Sequence, residues 1–162
     1  MRTLIALSLL SLFSCSCVSQ PEGYPCFYEY RETAMSRFPT VWYRVEATPG
    51  AIRILVSHED GKVLIVRAPA DIFQQIDKEV KKAHLERLKS RYKPLLRVLD
   101  GTTWSIDIHY HDRHVSSHGH QAWPDKKRRE GIDAINALLQ DLANNARGDD
   151  ILGEGEYDDF SE

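Results

Sequence analysis

The stretch Trp104-Ser105-Ile106-Asp107-Ile108-His109-Tyr110-His111 decides the fold, together with His114-Val115-Ser116-Ser117-His118-Gly119-His120 a few residues later. Apolar or aromatic residues occupy the even positions of the first segment, and the second segment carries all its histidines at even positions. Side chains that alternate in this way lie on opposite faces of a β-strand. We predict an antiparallel hairpin that turns at Asp112-Arg113, with one face in the core and the other face polar.

The polar face of this hairpin carries five of the seven histidines of the chain. A two-residue turn places His111 opposite His114 and Asp107 opposite His118. Opposed Cβ atoms lie about 4.5–5.5 Å apart, which is close enough for two imidazoles to share an ion. Imidazole and carboxylate ligands suit Zn²⁺, Cu²⁺ or Ni²⁺. The candidate metal ligands form two groups. The group near the hairpin tip contains His109, His111 and His114, and the group near its base contains Asp107, His118 and His120.

The same histidine pattern also fits a solvated polar face that binds no ion, because the outer face of a half-buried strand must be polar. A flat hairpin lacks the concavity of an ordinary ligand site. The sequence leaves both interpretations open.

Four strand-like segments precede the hairpin, at residues 27–31, 41–47, 52–57 and 62–67. They are rich in aromatic and β-branched residues, which favour strands. A first helix is predicted over residues 71–92, where Asp71 and Gln74 suggest a capping box and Pro94 follows the end. A second helix, over residues 130–146, carries one apolar stripe.

These elements predict an α+β domain with an antiparallel sheet of five or six strands and two helices packed on one face, in the order β-β-β-β-α-β-β-α. The domain is expected to cover residues 26–147. The acidic residues 148–162 show no periodicity and are predicted to be disordered. The basic residues 126–129 are predicted to be a solvated loop, and the alternative is contact with anionic lipid headgroups.

The N-terminus is predicted to be a targeting segment, because residues 1–14 combine a basic start with a short apolar run. The sequence Leu12-Phe13-Ser14-Cys15 resembles the lipobox of bacterial lipoproteins. The resemblance implies that Cys15 is lipidated and becomes the new N-terminus, with cleavage before Cys17 as a variant. It also implies a membrane anchor, with Ser16 favouring the outer membrane, and residues 15–25 form the tether. The alternative is a plain secretory signal that is cleaved near Cys17 or Gln20.

Two further cysteines bear on the compartment of the protein. Cys17 and Cys26 could close a short disulfide loop if Cys15 carries lipid. Alternatively, Cys17 stays free in the tether and Cys26 is a small buried residue. The sequence does not choose between these states.

The last third of the chain resembles small bacterial domains of uncharacterised function, which implies no activity. The chain contains no motif of a hydrolase, metalloprotease or phosphate-binding loop. Its net charge of −3 gives no reason to expect nucleic acid as a partner. We predict a non-catalytic envelope lipoprotein with an interaction or structural domain and no required cofactor. The alternative is a lipoprotein that binds Zn, Cu or Ni on the histidine face, and an envelope protein partner is possible in either case.

Overall fold

The computed structural model describes residues 23–34, 38–58, 60–94 and 101–160. These residues form eight strands and two α-helices. In chain order they are β1 (Phe27–Thr33), β2 (Val41–Thr48), β3 (Ala51–His58), β4 (Lys62–Arg67), α1 (Ile72–Ala83), β5 (Arg91–Tyr92), β6 (Thr103–His109), β7 (His114–His120), α2 (Lys126–Asn145) and β8 (Ile151–Glu156).

The eight strands form one sheet in the order β5-β7-β6-β1-β2-β3-β4-β8. Neighbouring strands are antiparallel except β5 and β7, which run parallel, so the sheet is mixed. The predicted α+β class with two helices is confirmed. The expected sheet of five or six antiparallel strands agrees only roughly, because β5 and β8 extend the sheet to eight strands at its two edges and β5 makes it mixed. Neither edge strand has the apolar alternation that reveals a strand in a sequence.

Both helices lie on one face of the sheet, which we call the helix-covered face. The five side chains that the alternation predicts to face the core are all buried there, namely Trp104, Ile106, Ile108, Tyr110 and Val115. Two tyrosine hydroxyls connect the strands to α2, since Tyr28 donates to Asn136 Oδ1 at 2.8 Å and Tyr43 donates to Gln140 Oε1 at 3.0 Å. The main core therefore lies between the sheet and the two helices.

Helix α1 ends nine residues earlier than predicted, at Ala83 rather than Tyr92. His84 adopts a left-handed conformation with φ of 56°, and Leu85 then enters the core. The chain turns back so that β5 pairs with β7. The predicted capping box is also wrong, because Asp71 makes no side-chain cap and its Oδ1 accepts instead from Gln75 Nε2 at 3.1 Å.

Helix α2 begins four residues earlier than predicted. The carboxylate of Asp125 accepts from the backbone N–H of Arg128 at 3.3 Å and so caps the helix. Residues 126–129, predicted as a loop, are therefore the first turn of α2. Within the described part of the chain, no helix combines the length and apolar character needed to cross a membrane.

The acidic segment after α2 is ordered where the sequence predicts disorder. It forms β8, which pairs with β4. Tyr157 is buried and packs edge-on against Trp42, with ring centroids 5.0 Å apart. Gly155 leaves space for Phe160, because a Cβ at that position would lie 2.6 Å from the ring. The packing of Tyr157 and Phe160 thus orders the segment. The folded part extends to residue 160 rather than to residue 147.

Candidate metal centre

The face of the hairpin that points away from the helices, the outer face, carries the predicted polar side chains. On β6 the buried residues alternate with partly exposed ones, and β7 shows the same alternation. Asp107 and His109 on β6 share this outer face with His114, His118 and His120 on β7. The predicted alternation of the hairpin therefore agrees with the structure.

The register of the hairpin differs from the prediction by two residues. His109, not His111, lies opposite His114, and Asp107 lies opposite Ser116 instead of His118. The turn forms at His111-Asp112 rather than at Asp112-Arg113. The backbone N–H of Tyr110 donates to the carbonyl of Arg113 at 2.8 Å, and the Arg113 guanidinium stacks over the Tyr110 ring at 4.0 Å. These two contacts close the hairpin one residue earlier than expected.

The observed register brings Asp107, His109 and His114 together. One ligand atom from each residue lies within 4.8 Å of the others. His114 Nε2 is 3.1 Å from Asp107 Oδ1. The two imidazole rings meet edge to face with their centroids 4.3 Å apart. These three residues, which we call the histidine–aspartate cluster, could hold a metal ion.

His109 is the least exposed histidine of the cluster. Its ring packs against Phe27 with centroids 4.8 Å apart, and its carbonyl accepts from the backbone N–H of Cys26 at 2.8 Å. Burial lowers the pKa of His109, and the neighbouring His114 lowers it further, while Asp107 and Glu29 oppose the shift. A neutral imidazole is the form that binds a metal, so this environment favours binding near neutral pH.

The remaining predicted ligands lie outside the cluster. His111 is in the turn, and His118 lies opposite Ser105. His120 Nδ1 is 3.1 Å from Thr103 Oγ1. The structure therefore brings neither predicted group together as a complete set. The cluster contains His109 and His114 from the group near the tip and Asp107 from the group near the base.

Glu29 is a polar residue of the outer face that the sequence analysis did not single out. Its carboxylate accepts from Trp42 Nε1 at 2.6 Å and pairs with Arg31 at 2.9 Å and Arg44 at 3.4 Å. It also lies opposite Asp107 across β1 and β6. Like charges in that arrangement repel, and the arginines offset the repulsion. The alternation of residues 27–31 was the available signal, because it places Glu29 on the face opposite Tyr28 and Tyr30.

Cys26, the residue before β1, lies beside the histidine–aspartate cluster in space through its backbone contact with His109, and it is disulfide-bonded. Its Sγ is 3.4 Å from the carbonyl oxygen of His109. A disulfide sulfur has no proton to donate, so this is a packing contact. Cys15 and Cys17 lie outside the described residues, as does the leader, and the pairing of Cys17 with Cys26 and the lipidation of Cys15 stay predictions.

Comparison with protein-family models finds none that matches this chain. Comparison with curated proteins finds no match either. The function must therefore be argued from the geometry of the outer face and from the N-terminal sequence.

Proposed function

We propose that this protein is a non-catalytic lipoprotein of the bacterial cell envelope that binds a divalent transition-metal ion through Asp107, His109 and His114. The observation that carries the metal site is the convergence of three ligand atoms within 4.8 Å. The anchor part of the proposal rests on the similarity of Leu12-Phe13-Ser14-Cys15 to a lipobox.

The ligand chemistry selects the class of metal. Two imidazoles and one carboxylate suit Zn²⁺, Cu²⁺ or Ni²⁺, whereas Mg²⁺ and Ca²⁺ prefer sites made of oxygen ligands. Bonds of about 2.0–2.2 Å to a tetrahedral ion bring ligand atoms to about 3.3 Å from one another. Small side-chain rotations would bring the atoms of the cluster, now within 4.8 Å, to that separation.

The surroundings of the cluster support binding with exchange rather than permanent structural coordination. Three protein ligands leave at least one coordination position open. The side chains of His114 and Asp107 are 52% and 33% exposed, so an incoming ligand from a second molecule can reach the ion. A site of this kind suits metal storage or delivery at the membrane, where an envelope protein would be the partner.

The metal proposal is tested by calorimetric titration of tag-free protein with Zn²⁺, Cu²⁺ and Ni²⁺. We expect one ion per chain, with binding abolished in His109→Ala and His114→Ala. The matched controls are His118→Ala and His120→Ala, which remove histidines from the same face but outside the cluster. Substoichiometric uptake, or equal losses in the control variants, would show that the face collects metal nonspecifically.

The anchor is tested by mass spectrometry of membrane fractions. Cys15→Ser should abolish acylation and release the protein from the membrane. Cys17→Ser, the matched control, should leave the lipid in place. Lipid found on Cys17 in the Cys15→Ser variant would place the cleavage site two residues later.

A further inference from the structure

The two ends of helix α2 carry opposite charge. Its first turn contains four consecutive basic residues, at positions 126–129. Its last turn leads into an acidic segment with Asp149, Asp150, Glu154, Glu156, Asp158 and Asp159. A helix of 20 residues is about 30 Å long. The net charge of −3 therefore conceals an uneven distribution of charge along the molecule.

The basic first turn of α2 adjoins the last turn of α1. Arg128 Nε donates to the carbonyl of His84 at 3.3 Å. The backbones also approach closely, since a Cβ on Gly131 would lie 2.2 Å from the Ala83 Cβ. The contact places exposed cations of both helices, and of the short turn after α1, at one end of the molecule. We call this surface the basic end, and it consists of Lys81, Lys82, Arg87, Lys126, Lys127 and Arg129.

Helix stability does not explain the charges in the first turn of α2. The N-terminus of a helix carries partial positive charge and favours acidic residues, yet this turn contains none. The Asp125 carboxylate pairs with Arg128, and Glu130 lies 3.7 Å from Lys126 in a highly exposed pair. Among the described residues, Lys127 forms no ion pair. A charge pattern that opposes the helix dipole is the kind of local conflict that functional surfaces retain.

Ion pairs in the last turn of α1 neutralise its cations only in part. Lys81 pairs with Asp77 at 2.6 Å and Lys82 pairs with Glu79 at 2.9 Å. The lysine side chains nevertheless remain 64% and 70% exposed. Their ammonium groups can therefore contact a surface that lies against this end of the molecule.

The N-terminal chain enters the described region beside the basic end. The ring of Tyr24 lies 5.9 Å from Lys81 Nζ. Residues 15 to 24 are joined by nine peptide links, and a fully extended chain of that length reaches about 30 Å. A lipid on Cys15 would therefore hold the basic end near the surface of the bilayer.

We propose that the basic end lies against anionic lipid headgroups of the membrane that holds the anchor. This inference rests on the proposed lipid anchor, which supplies the proximity. Each lysine or arginine close to an anionic membrane strengthens binding about fivefold. The same membrane repels the acidic segment after α2, so the charge separation orients the domain with that segment away from the lipid.

The test uses the unacylated chain from residue 15 to residue 162, produced without its leader and kept free of metal. Sedimentation with phosphatidylglycerol/phosphatidylethanolamine vesicles is compared with sedimentation with phosphatidylcholine vesicles, at about 20 mM salt to limit screening. We expect binding to the anionic vesicles alone. The double variant Lys126→Glu, Lys127→Glu should weaken it more than about tenfold.

A thermal unfolding scan separates a lost surface from a damaged fold. The double variant Lys126→Glu, Lys127→Glu adds acidic residues to a helix N-terminus, which offsets the loss of the exposed Lys126–Glu130 pair, so its Tm should not fall while its vesicle binding falls. The matched control is Arg67→Glu, Arg147→Glu, which changes the net charge equally beside the C-terminal end of α2. That control should keep its vesicle binding, and its Tm should not rise.

Three results would overturn the proposal: no binding to anionic vesicles, equal losses in the control, or tighter binding to a single-stranded oligonucleotide than to vesicles at equal phosphate concentration. Because the chain in this test is unacylated and metal-free, failure of Cys15 acylation or of metal binding does not alter its result.

Discussion

On the helix-covered face of β6, Trp104, Ile106 and Ile108 are each at most 1% exposed, whereas Ser105, Asp107 and His109 on the outer face of the same strand remain partly exposed. One face is held by close packing in a shared core, and the other by hydrogen bonds, ion pairs and ring contacts between individual side chains. Packing depends on volume, so a change there affects many neighbours. The outer face of the hairpin is stabilised by contacts between pairs of side chains, so a substitution there affects one partner and leaves room for a ligand.

The largest effect is expected in the core. Replacing Ile106 by Ala leaves a cavity under α1 and α2 and should lower the free energy of unfolding by about 2–5 kcal/mol. The matched control, Ser105→Ala on the outer face, should change it by about 0.5 kcal/mol or less. Urea unfolding measures both. Equal effects would remove the distinction between the two faces.

An intermediate effect is expected at Glu29, whose side chain is 14% exposed and accepts from three donors. Glu29→Ala leaves Arg44 and Trp42 Nε1 without their acceptor and should cost about 1.5–3 kcal/mol in urea unfolding. Glu32→Ala is the control, because Glu32 accepts a hydrogen bond from Tyr30 alone among the described contacts. A loss at Glu29 no larger than that at Glu32 would show that the outer-face pairs do not contribute cooperatively.

The smallest effect concerns pH. Burial holds the pKa of His109 below its ordinary value of about 6.5, so below that pH the unfolded chain binds more protons at this residue than the folded protein does. The contribution of His109 to stability is complete above the unfolded pKa and is lost as the pH falls towards the lowered folded pKa.

Unfolding free energies at about pH 7.5 and about pH 5.5 test this prediction, because they bracket the ordinary histidine pKa. The decline on acidification should be smaller in His109→Gln than in the parent protein. His118→Gln supplies the same substitution at an exposed position of the outer face. A decline unchanged by His109→Gln would place the acid sensitivity elsewhere in the molecule.

The hairpin shows what the sequence could and could not predict. Alternation has a period of two, so it assigns Asp107, His109 and His114 to one face whether or not the register moves by two residues. A metal site requires the register itself, because a shift of two residues exchanges His109 for His111 opposite His114. The contacts that set the register, between Tyr110 and Arg113, lie in the turn, where the sequence has no periodic pattern from which they could be predicted.

The edges of the sheet were missed for a related reason. Near its end, β8 alternates glycine with glutamate and so lacks an apolar pattern. The strand is held in place by the burial of Tyr157, which follows it in the chain. β5 is only two residues long, and its pairing with β7 depends on the left-handed His84 that ends α1. Asp125 is different, since an aspartate directly before a helical stretch is a recognisable N-cap that the placement of the helix at residue 130 overlooked.

The pairing of β8 with β4 has a consequence for biogenesis. Until β8 and Tyr157 have been synthesised, the outer edge of β4 presents unpaired backbone groups and Trp42 lacks the ring of Tyr157. Unpaired edges of this kind promote association between nascent chains. A polypeptide that emerges N-terminus first therefore cannot complete its sheet until β8 has been synthesised, and proteolytic removal of β8 and Tyr157 would expose the same edge again.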